Sequence, residues 1–146
     1  MTLAVAIARA IEAGIVFRAP ASSVAIEALE RAIGRPLSDD LRAFYAAHDG
    51  ADGVAVADGE DLLSIDEIAR GWAQLRDVWS EIADRQPGLW SAAWLPFTHD
   101  GGGSYLCVDL ASVGVPVLRY WLGEPARPRI ATSFADWLAK VEWTIE

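Results

Sequence analysis

Two histidines in this chain are each followed by aspartate, His48-Asp49 and His99-Asp100. Such a pair can belong to a metal-dependent phosphohydrolase centre, but that centre needs further His and Asp ligands. With two histidines and one cysteine in the whole sequence, carboxylates would have to complete a zinc site. His48 falls where a helix is expected to end, and its charged form suits the dipole there. His99 falls in a turn. Neither reads as a ligand, and no metal or cofactor is expected. Cys107, His99 and an aspartate have the makings of a nucleophilic triad. Cys107, however, lies in the middle of an apolar, β-prone run, and free cysteine is among the most buried residue types. No helix N-terminus or basic neighbour is in view to lower its pKa. Gly101-Gly102-Gly103-Ser104 lacks the lysine and following helix of a phosphate loop. Nor is it the G-x-S-x-G of a nucleophile elbow. No catalytic residue is predicted.

Carboxylates are the abundant reactive group, and they are concentrated. The formal charge is −9, and nine acids against one base, Arg42, lie between Asp39 and Glu67. Most fall on predicted helix starts and hairpin tips, which suits a solvated face better than a dry pocket that would split their pKa values. A field of this sign repels phosphates and attracts basic partners, so nucleic acid is an unsuitable ligand. Asp49, Asp52, Asp58, Glu60, Asp61, Asp66 and Glu67 are the candidate partner-binding acids. Trp90, with no evident interior place, is a candidate anchor, since tryptophan is enriched at binding hot spots. Trp143 has no evident interior place either.

The elements that must position these residues are legible as periodicities. Leu3, Ile7 and Ile11 predict a first helix over residues 2–14. Ser22 or Ser23 caps a second, through Ile33, which Gly34 ends. Ser38 caps a third, with Leu41, Phe44 and Tyr45 inward and Gly50 stopping it. Val54-Ala55-Val56 against Leu62-Leu63 reads as a short hairpin. Ser64 and Glu67 make an S-x-x-E capping box, followed by Ile65, Ile68, Trp72, Leu75, Trp79 and Ile82 on one helical stripe. Residues 84–88 close that helix.

Trp94 to Leu110 then reads as a central hairpin with glycines at its turn. A strand over Val115 to Leu122, a short one at Arg129-Ile130-Ala131 and a helix capped by Ser133 follow, the helix burying Phe134, Trp137, Leu138 and Val141. Asp109 should bond the turn at Ala111 and Ser112. The order predicts an α+β fold, mainly antiparallel, with the sheet packed against helices. At 146 residues and 53% hydrophobic content the chain suits one domain over 1–146. Its start lacks the pattern of a signal peptide or membrane span, and its single cysteine fits the cytoplasm.

Residues 26–50, reading I-x-x-L-E-x-x-I-G-x-x-L-x-x-D-L-R-x-F-Y-x-x-x-D-G, followed by LLSIDEI, WLPF, GGGSYLCVDL and SFADWL, resemble the SUKH superfamily. That group includes fungal cell-wall-synthesis regulators of the Smi/Knr type. The resemblance runs from about Val24 to Leu138 and leaves the N-terminal helix, within residues 1–23, outside it. Leu37-Ser38 stands where members usually have Leu-Pro, and Asp49-Gly50 where they often have Asn-Gly or Gly-Gly. The resemblance implies a non-catalytic α+β domain. It also implies that Leu29, Gly34, Gly50, Trp94, Gly103 and Asp109 are scaffold. Bacterial members are similar to immunity proteins that bind and neutralise a cognate toxin, often a nuclease, so a protein partner of that kind is expected. Charge reversal at Asp58, Glu60 and Asp61 should then slow association. The alternatives are a regulatory scaffold with an endogenous partner and, more remotely, a small hydrolase with a dry pocket.

Overall fold

The computed structural model describes residues 2–52, 54–56, 60–81 and 88–145. Among them five helices and two antiparallel sheets follow one another in groups, as expected of an α+β chain. Helix α1 (Leu3–Glu12) precedes α2 (Ser23–Ile33), capped by the Ser22 hydroxyl, and α3 (Asp39–Ala47). Strands β1 (Val54–Val56) and β2 (Glu60–Leu62) pair antiparallel. Helix α4 (Ile65–Trp79) starts on the predicted capping box, with Ser64 Oγ accepting from the Glu67 amide and the Glu67 carboxylate from the Ser64 amide. Then come β3 (Trp94–Pro96), β4 (Thr98–His99), β5 (Ser104–Asp109), β6 (Val117–Trp121), β7 (Arg129–Ala131), α5 (Phe134–Lys140) and β8 (Thr144–Ile145). Ile82 and the expected helix stop at 84–88 fall mostly outside the described residues.

The predicted hairpin is present, with Trp94 opposite Asp109 and Pro96 opposite Cys107. Its turn has positive φ at Gly101 (85°) and Gly103 (93°), the conformation that glycine alone adopts without strain. Its two arms have different fates. Strand β5 is interior in the sheet β3-β5-β6-β7, whereas β3 is that sheet's edge. The first arm then changes sheets. Phe97 donates its N–H to Leu106 O and accepts from Leu63 N, so it bridges both sheets, and β4 continues in the order β4-β2-β1-β8.

Burial is on both faces of β5. Leu106 and Val108 join the main core with Phe44, Phe97 and Phe134. Cys107 faces a smaller cluster with Leu75, Trp79, Leu118 and Tyr120. There the Trp79 indole N–H donates to Tyr120 Oη at 2.8 Å, so one aromatic satisfies the polar atom of another. The α4 stripe therefore serves two clusters, Ile65, Ile68 and Trp72 in the first and Leu75 and Trp79 in the second.

At the two ends of the chain the burial is shallower than in the middle. Helix α1 buries Ala6 and Ala10, while Ile11 is half exposed; small residues let α1 lie close to α5, where Arg9 donates to Ala139 O. Val141 lies just past α5 and is only partly buried. Trp90 and Trp143 are both half-buried. Trp143 packs edge-on to Phe17 and Trp137, and Trp90 lies against the smaller cluster.

Tyr45 holds the loops together at the acidic end. Its ring is fully buried and its hydroxyl donates to Leu63 O at 2.6 Å; burial pushes the phenol pKa well up. Tyr45→Phe should cost about 1–2 kcal/mol, since it leaves a buried carbonyl short of a donor. Urea unfolding of the two proteins measures it.

Candidate partner-binding surface

The acidic segment leaves α3 as a loop pinned on both sides. Arg18 N donates to Gly50 O, Asp49 N to Ala19 O, and Ala51 N to Leu62 O. Seven carboxylates were candidates, and the structure divides them. Asp49 is half-buried, and its Oδ1 accepts the Ile65 amide at 2.7 Å. It thus satisfies an orphan donor of the first turn of α4, where negative charge also meets the positive helix end. Glu67 completes the capping box and accepts from the Arg18 guanidinium at 2.9 Å. Burial raises its carboxyl pKa, but the Ser64 and Arg18 hydrogen bonds outweigh burial and leave it below the ordinary value. Asp58 lies outside the described residues. Asp52, Asp61 and Asp66 are exposed, with Asp52 loosely facing Arg18 at 3.8 Å.

Glu60 corrects the sequence reading. It was expected on an exposed acidic rim; it is 1% exposed. Alternation along β2 turns Glu60 and Leu62 inward and Asp61 outward. The Glu60 carboxylate meets Arg119 of β6, whose guanidinium donates to Oε1 at 2.9 Å and to Ser104 Oγ at 3.2 Å. The Ser104 hydroxyl donates to the same Oε1 at 3.1 Å. Oε2 is buried without a hydrogen-bond partner. Burial raises the Glu60 pKa, against the opposing pull of Arg119 and Ser104. The cluster is a cross-sheet bolt, joining β2 of one sheet to β5 and β6 of the other.

The groups weighed for catalysis do not assemble. Cys107 is 1% exposed, and burial pushes its thiol pKa up, away from the thiolate. His99 stacks on Tyr105, ring centroids 4.9 Å apart, beside a shallow groove of about 220 Å³ that Glu67, Arg70 and Gln74 also line. His48 ends α3 with Nδ1 3.2 Å from Arg18 O. Among the described residues no three His, Cys, Asp or Glu are grouped to hold a metal ion. No helix among them is long and apolar enough to cross a membrane.

The six expected scaffold positions are placed as follows. Leu29 is in the core, Gly34 ends α2, Gly50 sits at 80° φ, and Trp94 is half-buried on β3. Gly103 is in the β4–β5 turn, and Asp109 accepts from the Ala111 amide and the Ser112 hydroxyl. Trp90 is less available than its sequence context suggested, since its indole nitrogen is buried, without a partner. The exposed tryptophan is Trp121, 39% accessible, followed by Leu122 at 63%. The sequence signal was present in the alternation of Val117, Arg119 and Trp121 on one strand face, but the position where that face leaves the core was not.

Helices packed on two antiparallel sheets, with carboxylates on the outside and apolar or bolted interiors, make an α+β domain. The profile of the SMI1 / KNR4 family (SUKH-1) matches residues 20–140, and the chain belongs to that family. Helix α1 lies outside the matched span. No curated protein matches the chain.

Proposed function

We propose that this chain is a protein-binding domain of the immunity type, which captures a basic, nuclease-type toxin and blocks it. The observation that carries the reading is the sorting of the acids. Asp49, Glu60 and Glu67 are engaged in the fold, whereas Asp52, Asp61 and Asp66 remain exposed on a chain of net charge −9. A nuclease must present cationic charge to hold phosphates, and complementary acids accelerate its capture and select against wrong partners.

Co-expression with the toxin domain encoded beside this gene tests the reading, with survival as the readout. Wild-type chain should restore growth. Asp52→Lys, Asp61→Lys and Asp66→Lys together should lower the association rate at least tenfold at low salt and flatten its salt dependence. Thermal unfolding should change little, because these side chains are exposed. Unaltered growth inhibition with wild-type chain present, or no toxin gene nearby, rejects the immunity reading.

A further inference from the structure

The Glu60–Arg119–Ser104 bolt lies beneath the most exposed aromatic side chain in the described structure. The Arg119 guanidinium sits over the Trp121 ring, 5.4 Å from its centroid. The backbone on that side is held as well. Leu122 N donates to Gly103 O, and Arg127 donates to Trp121 O and to Glu124 O while its guanidinium covers the Tyr120 ring. A buried ion pair is a poor way to gain stability, because desolvation offsets most of the Coulomb attraction. An apolar pair would pack as well. What the bolt does supply is a fixed orientation for Arg119 and, above it, for Trp121.

Around this aromatic the charges are mixed: Arg119 and Arg127 lie against it, both held by acceptors of the fold, and acids flank it in the neighbouring turns. Asp100 closes the β4–β5 turn, accepting from the Gly102 and Ser104 amides, and acts on Glu60 through space. Glu124 bridges back to Trp121 across the strand end. Arg119 is neutralised from below.

We infer that Trp121 and Leu122 form the apolar anchor of the partner-binding surface, flanked by Asp100 and Glu124, and that they seat in an apolar pocket on a basic protein. The anchor replaces Trp90 in that role. Tryptophan held rigid by arginine loses little side-chain entropy on binding, and anchors of this kind dominate interface energetics. The acidic rim matches a cationic partner surface, which selects such a protein over nucleic acid or an anionic bilayer.

The inference rests on the immunity reading, and the experiment separates the two. The probe is the toxin domain that the immunity reading requires beside this gene, in a catalytically dead form, titrated calorimetrically. Wild-type chain, Trp121→Ala/Leu122→Ser, Asp100→Asn/Glu124→Gln and the distant α1 variant Val5→Ser are compared. Each is first matched for far-ultraviolet circular dichroism and melting. The anchor variant should weaken binding at least a hundredfold. The rim variant should mainly slow association, and Val5→Ser should bind as wild type does. An anchor variant that binds within threefold of wild type overturns the anchor while leaving the immunity reading intact. A wild-type chain that does not bind the probe overturns both.

Discussion

Gly50→Ala should destabilise the protein on the order of 3–4 kcal/mol, the largest effect expected of a methyl added at any glycine among the described residues. Two independent causes act at the position. The backbone φ is 80°, where an L side chain is strained. A Cβ there would also stand 2.6 Å from Leu63 O and 2.8 Å from Leu63 C, both backbone atoms. Neither can swing aside, because Tyr45 holds Leu63 O and the Leu63 amide is held by Phe97 O. The contrast is Gly34, also at positive φ (74°) but with nothing within 4 Å of its added Cβ. Gly34→Ala carries the strain without the collision, about 1–2 kcal/mol. Urea denaturation of both variants distinguishes them. Equal losses would mean that the loop after α3 yields, and that the packing against Leu63 is looser than described.

Arg119→Leu is expected to cost about 3–5 kcal/mol near neutral pH, since it leaves the Glu60 carboxylate buried and uncompensated. The loss should depend on pH with a definite sign. The native pKa of Glu60 is already raised by burial, so between the unfolded and native values the native state binds more protons. Stability from this group is present below the ordinary carboxylate range and is lost as pH rises through the native pKa. Removing the guanidinium extends that window upward. The deficit of Arg119→Leu relative to wild type should therefore shrink between about pH 7 and about pH 5, as Glu60 takes up a proton.

Glu60→Leu/Arg119→Leu should recover most of the stability, because both charges go together. Its partner binding should nonetheless fall, because Trp121 loses the cation over its ring. A double variant as weakly folded as the single one would show that the cluster is a stability element only.

The sequence was most informative where local chemistry decides the structure. The Ser64–Glu67 box, the Gly34 stop, the Asp109 turn and the glycine hairpin each depend on neighbours within a few residues, and each is present as expected. It was least informative where a strand's partner is distant. Glu60 belongs to a run of acids, and only pairing across to Arg119, 59 positions on, shows that it faces inward. Strand β8 has no signature of its own: two residues, Thr144 and Ile145, acquire β structure because β1 offers an edge. Helix α1 is present as its period predicts, but its closest packing is made by Ala6 and Ala10, with Leu3 and Ile7 partly buried and Ile11 half exposed. The surface was legible as a charge and not as a shape. The excess of acids was plain, but which of them cap helices is a matter of tertiary hydrogen bonds.

Strand β2 lies between β1 and β4, and β1 lies between β2 and β8. Both strands therefore have a neighbour on each flank, and the open margins of this sheet fall at β4 and β8, away from the strand that presents Asp61. A partner arriving there meets a surface already set before contact. Little ordering remains to slow the encounter, so capture should proceed as the collision of two preformed bodies, its speed governed by long-range attraction and by ionic strength.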